Sequence, residues 1–159
     1  MLSEIELVDG ISIKACRSDI GVEAPIYHAR FGETQAFELA EGTFKIPLDI
    51  TGFNFKANDW SALHLVEPPY LLIAARGDKL AVKRSRQPRK GQLVMLKQGD
   101  NIVIKRFFPV GNGLVLSALD MAADILVTPA VVDIRGTIEG LAIAGCWYKI
   151  LTSDKLPER

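Results

Sequence analysis

Short apolar segments separated by glycine and proline dominate the chain. The 13 glycines and 8 prolines are spread over 159 residues, and the segments between them are rich in Val, Ile, Leu, Phe and Tyr, which favour β-strands. Helical spacing is weak and lies chiefly around residues 117–123. The chain is therefore predicted to be mostly β. The predicted strands are residues 11–15, 43–48, 62–66, 71–74, 79–83, 92–97, 101–108, 113–117, 130–134 and 137–150.

Two of the links between predicted strands have the composition of tight turns. Residues 98–101 read QGDN and residues 111–113 read GNG, and Gly, Asn and Asp tolerate the positive φ that hairpins require. Consecutive hairpins predict an antiparallel meander. The apolar run 136–151 near the C-terminus is predicted to be a single strand.

Lys105 lies within a predicted strand whose other residues are mostly apolar. In the sequence NIVIKRFF, Ile104 and Arg106 alternate with Val103, Lys105 and Phe107, and alternate residues of a strand point to opposite faces. Lys105 is thus predicted to point toward an apolar side of its strand, which is unusual for a lysine.

The length of the chain fits one domain. Residues 24–151 are predicted to form the β domain. The mixed character of residues 1–23 predicts an N-terminal arm, and residues 152–159 are predicted to be a charged tail with frayed structure.

The balance of 19 basic and 19 acidic residues provides no overall field toward nucleic acid or a membrane surface. The sequence has neither a long apolar span nor a signal-like N-terminus, so we expect a cytoplasmic protein without membrane association. Cys16 and Cys146 lack CxxC spacing, and His28 and His64 are isolated in the sequence. We therefore expect no disulfide framework, no metal site and no cofactor.

Four motifs in order give the chain its resemblance to a known family. Between residue 24 and residue 150 it resembles the C-terminal domain of LexA-type repressors and the UmuD-type polymerase accessory proteins, which cut their own chain with a serine–lysine pair. Residues 24–33, APIYHARFGE, are similar to the segment that carries the self-cleavage bond, which would fall at Phe31–Gly32. The motifs are GDKLAV at 77–82, RKGQLV at 89–94, IKRF at 104–107 and IEGLAI at 138–143. The resemblance implies a LexA/UmuD-like fold of antiparallel strands and hairpins.

The resemblance places a lysine at the family's general-base position but no serine at its nucleophile position. Lys105 matches the lysine, whereas Pro68 occupies the position of the serine. Proline has neither a hydroxyl nor an N–H group, so it can supply neither a nucleophile nor an oxyanion donor. Phe31 also places a bulky ring where the family has a small residue. We therefore expect an inactive peptidase homologue in which Lys105 is vestigial, with Glu67 as a candidate partner for its charge.

An alternative is an active self-cleaving peptidase whose nucleophile has moved to another serine. Ser61, Ser85 and Ser117 are the candidates, although each falls on a different predicted strand or loop. The preferred interpretation is a non-catalytic regulatory module.

The resemblance implies that such a module acts by dimerisation or partner binding. It would form a homodimer, or a heterodimer with a LexA/UmuD-like protein, and would act in SOS-type or phage-type transcriptional control or on a DNA polymerase. Trp147 and Tyr148 lie where the family forms its two-fold contact, and aromatic residues are enriched at interfaces. Core packing of these two residues is the equally weighted alternative.

A cationic segment at residues 83–90 provides a third hypothesis, a small nucleic-acid-binding β domain. We expect partner binding rather than direct DNA binding, because no stacking aromatic residues accompany the segment and no helix-turn-helix pattern precedes the β domain. A solvated hairpin tip is the plainer interpretation of these charges. The cations that would contact phosphates are Lys83, Arg84, Arg86, Arg89 and Lys90.

Overall fold

The computed structural model describes residues 4–8, 10–31, 35–67, 75–85, 87–111, 113–117, 125–127 and 132–155. Twelve strands account for most of this part of the chain, with one short helix and one 3-10 turn at Ala57–Asp59. The prediction of a mostly β fold is confirmed. The elements are β1 Glu4–Val8, β2 Ile11–Ala15, β3 Gly21–Arg30, β4 Ala36–Pro47, α1 Leu48–Thr51, β5 Trp60–Glu67, β6 Lys79–Lys83, β7 Leu93–Gln98, β8 Asn101–Val110, β9 Gly113–Ser117, β10 Ile125–Val127, β11 Asp133–Ile143 and β12 Cys146–Thr152.

The strands form one sheet in the order β10-β9-β8-β7-β11-β6-β5-β3-β4, and β12 joins β11 to the β1–β2 hairpin. Neighbouring strands of the described residues pair antiparallel except β3 and β5, which run parallel. The meander predicted for residues 92–117 is present as β7, β8 and β9. The parallel pair was not predicted, because the segment that connects β3 to β5 contains the whole of β4.

Three apolar clusters fill the two sides of the sheet. The main cluster combines residues from strands at opposite ends of the sheet order, such as Phe31 after β3 and Ile104 on β8, so the sheet curves around it. A second cluster forms around Trp60, where Ile50 of α1 covers the outer side. A third surrounds Val94 on the outer side of β7 and β8.

Part of the segment that we expected to form an N-terminal arm pairs with the sheet. β2 pairs with β12, and Ile11 and Ile13 are 1% and 3% exposed within the main cluster. The mixed composition of residues 1–23 concealed this because only two apolar side chains of β2 face the core. Residues 156–159 of the expected tail lie outside the described part.

The run 136–151, predicted to be one strand, is a hairpin of β11 and β12. Ala144 and Gly145 form the turn, with φ values of 50° and 84°, and Ile143 pairs with Cys146 across it. Two central residues with positive φ are characteristic of the turn type that best fits twisted hairpins. The prediction was wrong here because alanine is not a usual signal for such a turn.

Candidate functional site

The residue at the predicted cleavage position lies beside the residue that precedes the predicted serine position. Phe31 donates its backbone N–H to the carbonyl of Glu67 across 2.9 Å, which extends the parallel pairing of β3 and β5. Glu67 is followed directly by Pro68 in the sequence. The parallel pair therefore brings together two positions that are far apart along the chain.

Gln35, four residues after Phe31 in the sequence, contacts β8. The side-chain amide of Gln35 donates to the carbonyl of Ile102 and accepts a hydrogen bond from the Ile102 N–H. Ile102 lies three positions before Lys105, about 10 Å along a strand. Residues 31 and 35 thus connect the end of β5 with the beginning of β8.

Phe31 is a core residue. Its side chain is 9% exposed, and its ring meets Phe37 edge to face with centroids 5.4 Å apart. It belongs to the main cluster, which also contains Leu63, Leu65 and Ile104. Burial of a phenylalanine ring contributes roughly 2 kcal/mol, so this position stabilises the fold.

Lys105 is partly buried on the outer side of β8. Its neighbours Ile104 and Arg106 point to the opposite face and are 2% and 1% exposed. Lys105 shares its face with Val103 and Phe107, which pack on the third cluster. This matches the predicted apolar side of the strand. Within the described part of the chain no ion pair involves Lys105; the ion pairs there join Arg30 to Glu67 and Arg135 to Asp133.

Glu67, the candidate partner of Lys105, pairs with Arg30 instead. The two charged groups are 3.4 Å apart and about half exposed, a geometry that contributes little to stability. β5 and β8 are separated in the sheet order by β6, β11 and β7. Glu67 therefore does not serve as the partner for the charge of Lys105.

Other parts of the predicted chemistry fall at or beyond the limits of the described residues. Pro68 and Gly32 lie outside them. Ser61 is on β5 opposite Val82, and Ser117 on β9 is the register partner of Arg106. Ser85 accepts a hydrogen bond from the Gln87 N–H in the segment after β6.

The predicted cationic segment is exposed where it is described. Lys83 ends β6, Arg84 follows it, and Arg89 and Lys90 precede the turn into β7. Arg86 lies outside the described residues. The segment brings its charges close to β11, because Lys83 is the register partner of Thr137.

The aromatic pair of β12 packs on the protein's own core. Trp147 contacts the second cluster and lies 5.8 Å from the Phe44 ring, and Tyr148 packs against the main cluster. Both side chains remain partly exposed. The indole N–H of Trp147 is buried without a hydrogen-bond partner among the described residues.

Two of the motifs that carry the family resemblance meet in the structure. Gln92, from RKGQLV, donates from its side-chain amide to the Glu139 carboxylate of IEGLAI across 2.8 Å, and Thr137 donates to the same oxygen across 3.2 Å. The Gln92 amide oxygen accepts the Arg89 N–H at 2.8 Å. A bulge in the pairing of β11 with β6 falls at Glu139, between Ile138 and Gly140, and bulges re-aim side chains in this way. These motif residues join β7 to β11.

The arginine of the third motif joins the ends of the chain to the sheet. Arg106 is 1% exposed and donates to the carbonyls of Gly91 (3.2 Å) and Ser153 (2.6 Å). Ser153 in turn donates its N–H to the Gly10 carbonyl at 2.7 Å. Charged donors make strong hydrogen bonds to buried acceptors, so Arg106 fixes β12 and the β1–β2 hairpin.

The aspartate of the first motif has a similar structural role. Asp78 is 8% exposed and accepts the Ala75 N–H at 2.8 Å and the Ala144 N–H at 3.4 Å. It therefore links the start of β6 to the turn between β11 and β12. All four motifs thus contain a side chain that holds strands together.

Curated proteins match part of the chain in sequence. A LexA repressor of Thiobacillus denitrificans is 41% identical over 70 residues, and LexA repressors of Shewanella piezotolerans and Shewanella amazonensis are 39% and 40% identical over the same length. Part of this chain is similar to LexA repressors. The match covers 42% of this chain and about a third of each LexA repressor. The mostly β fold is consistent with a LexA-like C-terminal domain, and no protein-family model matches the chain.

The two histidines, which are isolated in the sequence, are neighbours in the structure. His28 on β3 and His64 on β5 are register partners, and their rings meet edge to face with centroids 5.3 Å apart. Burial lowers the pKa of His64, and the charges of Lys79 and His28 lower it further. No group of three or more metal-ligating side chains occurs among the described residues. Only the parallel pairing of β3 and β5, which has no local sequence signal, could have revealed this pair.

A second unpredicted group surrounds Cys16. Burial raises the pKa of the Cys16 thiol to about 11, with a further contribution from the Asp49 carboxylate. Asp49 accepts the backbone N–H groups of Arg17 and Ser18 at 2.9 Å each, and the hydrogen bond from Arg17 is the largest cause of its lowered pKa. The Cys16 thiol is thus poorly activated as a nucleophile. Cys146, in contrast, is exposed.

Among the described helices, none is long and apolar enough to span a membrane.

Proposed function

We propose that this chain is a LexA-like regulatory module that does not cleave itself and that acts by binding another protein chain. The partner is a second copy or a LexA/UmuD-like protein. The process is SOS-type or phage-type transcriptional control or modulation of a DNA polymerase, carried out in the cytoplasm. The similarity to LexA repressors supports the regulatory class, and the absence of self-cleavage is inferred from the cleavage position.

The observation that carries the non-catalytic part is the burial of Phe31. A self-cleaving peptidase must present its scissile carbonyl to a nucleophile, in an extended segment with a small side chain that a narrow cleft accepts. Here the Phe31 side chain is 9% exposed and packs on Phe37. The backbone N–H of Phe31 donates to the carbonyl of Glu67, the residue before Pro68. Moving Phe31 out of the core would cost roughly 2 kcal/mol of apolar burial. The segment supports a structural role better than that of a substrate.

The proline supports the same conclusion from the side of the enzyme. Serine–lysine catalysis needs a hydroxyl that a neutral lysine can deprotonate, and Pro68 has none. Lys105 would then remain as a relic of the catalytic pair.

Intact-mass spectrometry tests the absence of cleavage. The purified chain is incubated at neutral and at alkaline pH, where a neutral lysine is favoured, alongside a Lys105→Met variant. We expect both proteins to keep their full mass at every time point. A fragment ending at Phe31 that forms in the unchanged chain and is absent from Lys105→Met would refute the proposal and favour a relocated serine nucleophile.

For the partner, we propose that the β11–β12 hairpin approaches its counterpart in a dimer through the exposed parts of Trp147 and Tyr148. Cys146 is exposed and immediately precedes Trp147. In such a dimer two Cys146 thiols would lie close enough to form a disulfide, which requires Cα atoms within about 7 Å.

Cysteine cross-linking and sedimentation test this arrangement. Under mild oxidation at micromolar concentration we expect a disulfide-linked dimer from the unchanged chain and from Cys16→Ser, and only monomer from Cys146→Ser. Analytical ultracentrifugation under reducing conditions should show a dimer. A monomer by sedimentation, together with no protein partner recovered from a lysate, would remove the partner-binding proposal.

A further inference from the structure

A cleft opens where β11 changes partners along one of its edges. Thr137 pairs with Val94 of β7, and Gly140 pairs with Lys149 of β12. At Ile138 and Glu139, between these two pairings, the strands on that edge separate. The resulting cleft has a volume of about 350 Å³, within the usual range for small-ligand sites.

Cations dominate the lining of this cleft. Arg89 and Lys90 reach it from the turn before β7, and Lys149 reaches it from β12. All three side chains are exposed, and none forms an ion pair with a described residue. Because they come from separate parts of the sequence, their convergence is a product of the fold.

The carboxylate in the lining does not neutralise these cations by direct contact. Glu139 is held by the neutral donors Gln92 and Thr137, so it lies at one fixed position on the wall. The lining contains three cationic residues and one carboxylate, and the Asp49 carboxylate, outside the lining, also interacts with the charge of Lys149. The cleft therefore has a net positive charge although the whole chain is neutral.

The apolar base of the cleft strengthens the attraction of these charges for an anion. Ile138, Ile150 and Leu151 contribute apolar surface, and Ile138 and Ile150 belong to the main cluster. An anion bound against an apolar wall is screened less by water and salt than one on an open surface.

We propose that this cleft binds a phosphate group. Phosphate oxygens accept charge-assisted hydrogen bonds from arginine and lysine, and arginine can donate two at once. The Thr152 hydroxyl lies in the same lining and provides a neutral donor.

The shared chemistry is a phosphate group, which a small metabolite or a nucleic-acid backbone can supply. Two probes distinguish these sources: inorganic pyrophosphate, followed by amide chemical shifts in NMR, and a fluorescent single-stranded oligothymidylate, followed by anisotropy over a series of salt concentrations. Both are used with the full chain.

The decisive variant is Lys149→Glu, and Lys97→Glu is its matched control. Both lysines are exposed and both changes alter the net charge equally, but Lys97 lies near the other end of β7 and outside the cleft. Unchanged melting temperatures establish that both variants fold. We expect Lys149→Glu to weaken binding of the responding probe by about tenfold or more, and Lys97→Glu to change it less than about twofold.

The two probes then assign the source of the phosphate. Binding of pyrophosphate alone indicates a small phosphorylated ligand. Binding of the oligonucleotide, with a salt slope that decreases by about one unit in Lys149→Glu, indicates a nucleic-acid backbone. The proposal is overturned if neither probe separates Lys149→Glu from Lys97→Glu, whether because nothing binds or because both variants weaken binding equally. It is independent of the self-cleavage and dimer tests.

Discussion

The side-chain amide of Gln92 donates a hydrogen bond to the carboxylate of Glu139 across 2.8 Å, joining the start of β7 to the bulge of β11. These residues belong to two of the sequence motifs through which the chain resembles LexA-type proteins. Arg106 and Asp78, from the other two motifs, also tie strands together. Much of the resemblance therefore reflects how this sheet is held together.

Loss of the Gln92 side chain should destabilise the protein. Gln92 is 7% exposed and bonds both Glu139 and the Arg89 N–H. Gln92→Ala removes both contacts and leaves a small cavity, so we expect the free energy of unfolding to fall by about 2–3 kcal/mol. Urea denaturation measures it. Gln87→Ala, at an exposed position, should change it by less than about 0.5 kcal/mol; equal effects of the two substitutions would contradict the structural role of Gln92.

Two glycines with positive φ provide a matched test of the junction near Ser153. A Cβ on Gly91 (φ 88°) would lie 2.0 Å from the Ser153 carbonyl oxygen, whereas a Cβ on Gly99 (φ 61°) would meet no atom within 4 Å. Gly99→Ala should cost about 1–2 kcal/mol from backbone strain alone. Gly91→Ala has the same strain together with a clash against backbone, so its loss of stability in urea should be clearly larger. Similar costs would mean that the β12 end does not pack on this turn.

Acidification should weaken the fold through His64. Burial, Lys79 and His28 lower its pKa below 6.5, so the unfolded chain takes up the proton first as the pH decreases. The contribution of neutral His64 to stability is complete above about pH 6.5 and is lost as the pH falls through the lower folded pKa. Urea midpoints at pH 7.5 and pH 5 should therefore differ more for the unchanged chain than for His64→Gln.

The cause of the lowered His64 pKa can be tested separately. Lys79 is the register partner of His64 on β6, and its charge disfavours the imidazolium. Lys79→Met should raise the pKa of His64, measured by NMR titration of its ring protons. An unchanged value would leave burial and the charge of His28 as the causes.

The two cysteines should differ widely in reactivity. The pKa of the partly buried Cys16 thiol is raised to about 11, so little thiolate forms at pH 8, while Cys146 is exposed. A disulfide reagent at pH 8 should titrate one thiol quickly and the other at least about tenfold more slowly. Cys146→Ser should abolish the fast phase, and a fast phase that persists in this variant would contradict the assigned environment of Cys16.

Several strands could be predicted from local sequence because their pattern is local. The predicted ranges 11–15, 79–83 and 113–117 coincide with β2, β6 and β9, since alternating apolar residues between turn signals fix a strand by themselves. β3 was missed, because Pro25 and mixed polarity interrupt its pattern. The predicted ranges 71–74 and most of 117–123 lie outside the described residues.

The sequence by itself determined that the protein is mostly β and that Lys105 interrupts an apolar face of its strand. Those properties depend on residue type and on short-range alternation. The tertiary structure decided which strands became neighbours: β2 with β12, and β3 parallel to β5. Such pairings depend on burial and hydrogen bonding between segments far apart in the chain, so no local pattern specifies them. They alone place His28 beside His64, Gln92 against Glu139, and the cations of two distant segments around one cleft.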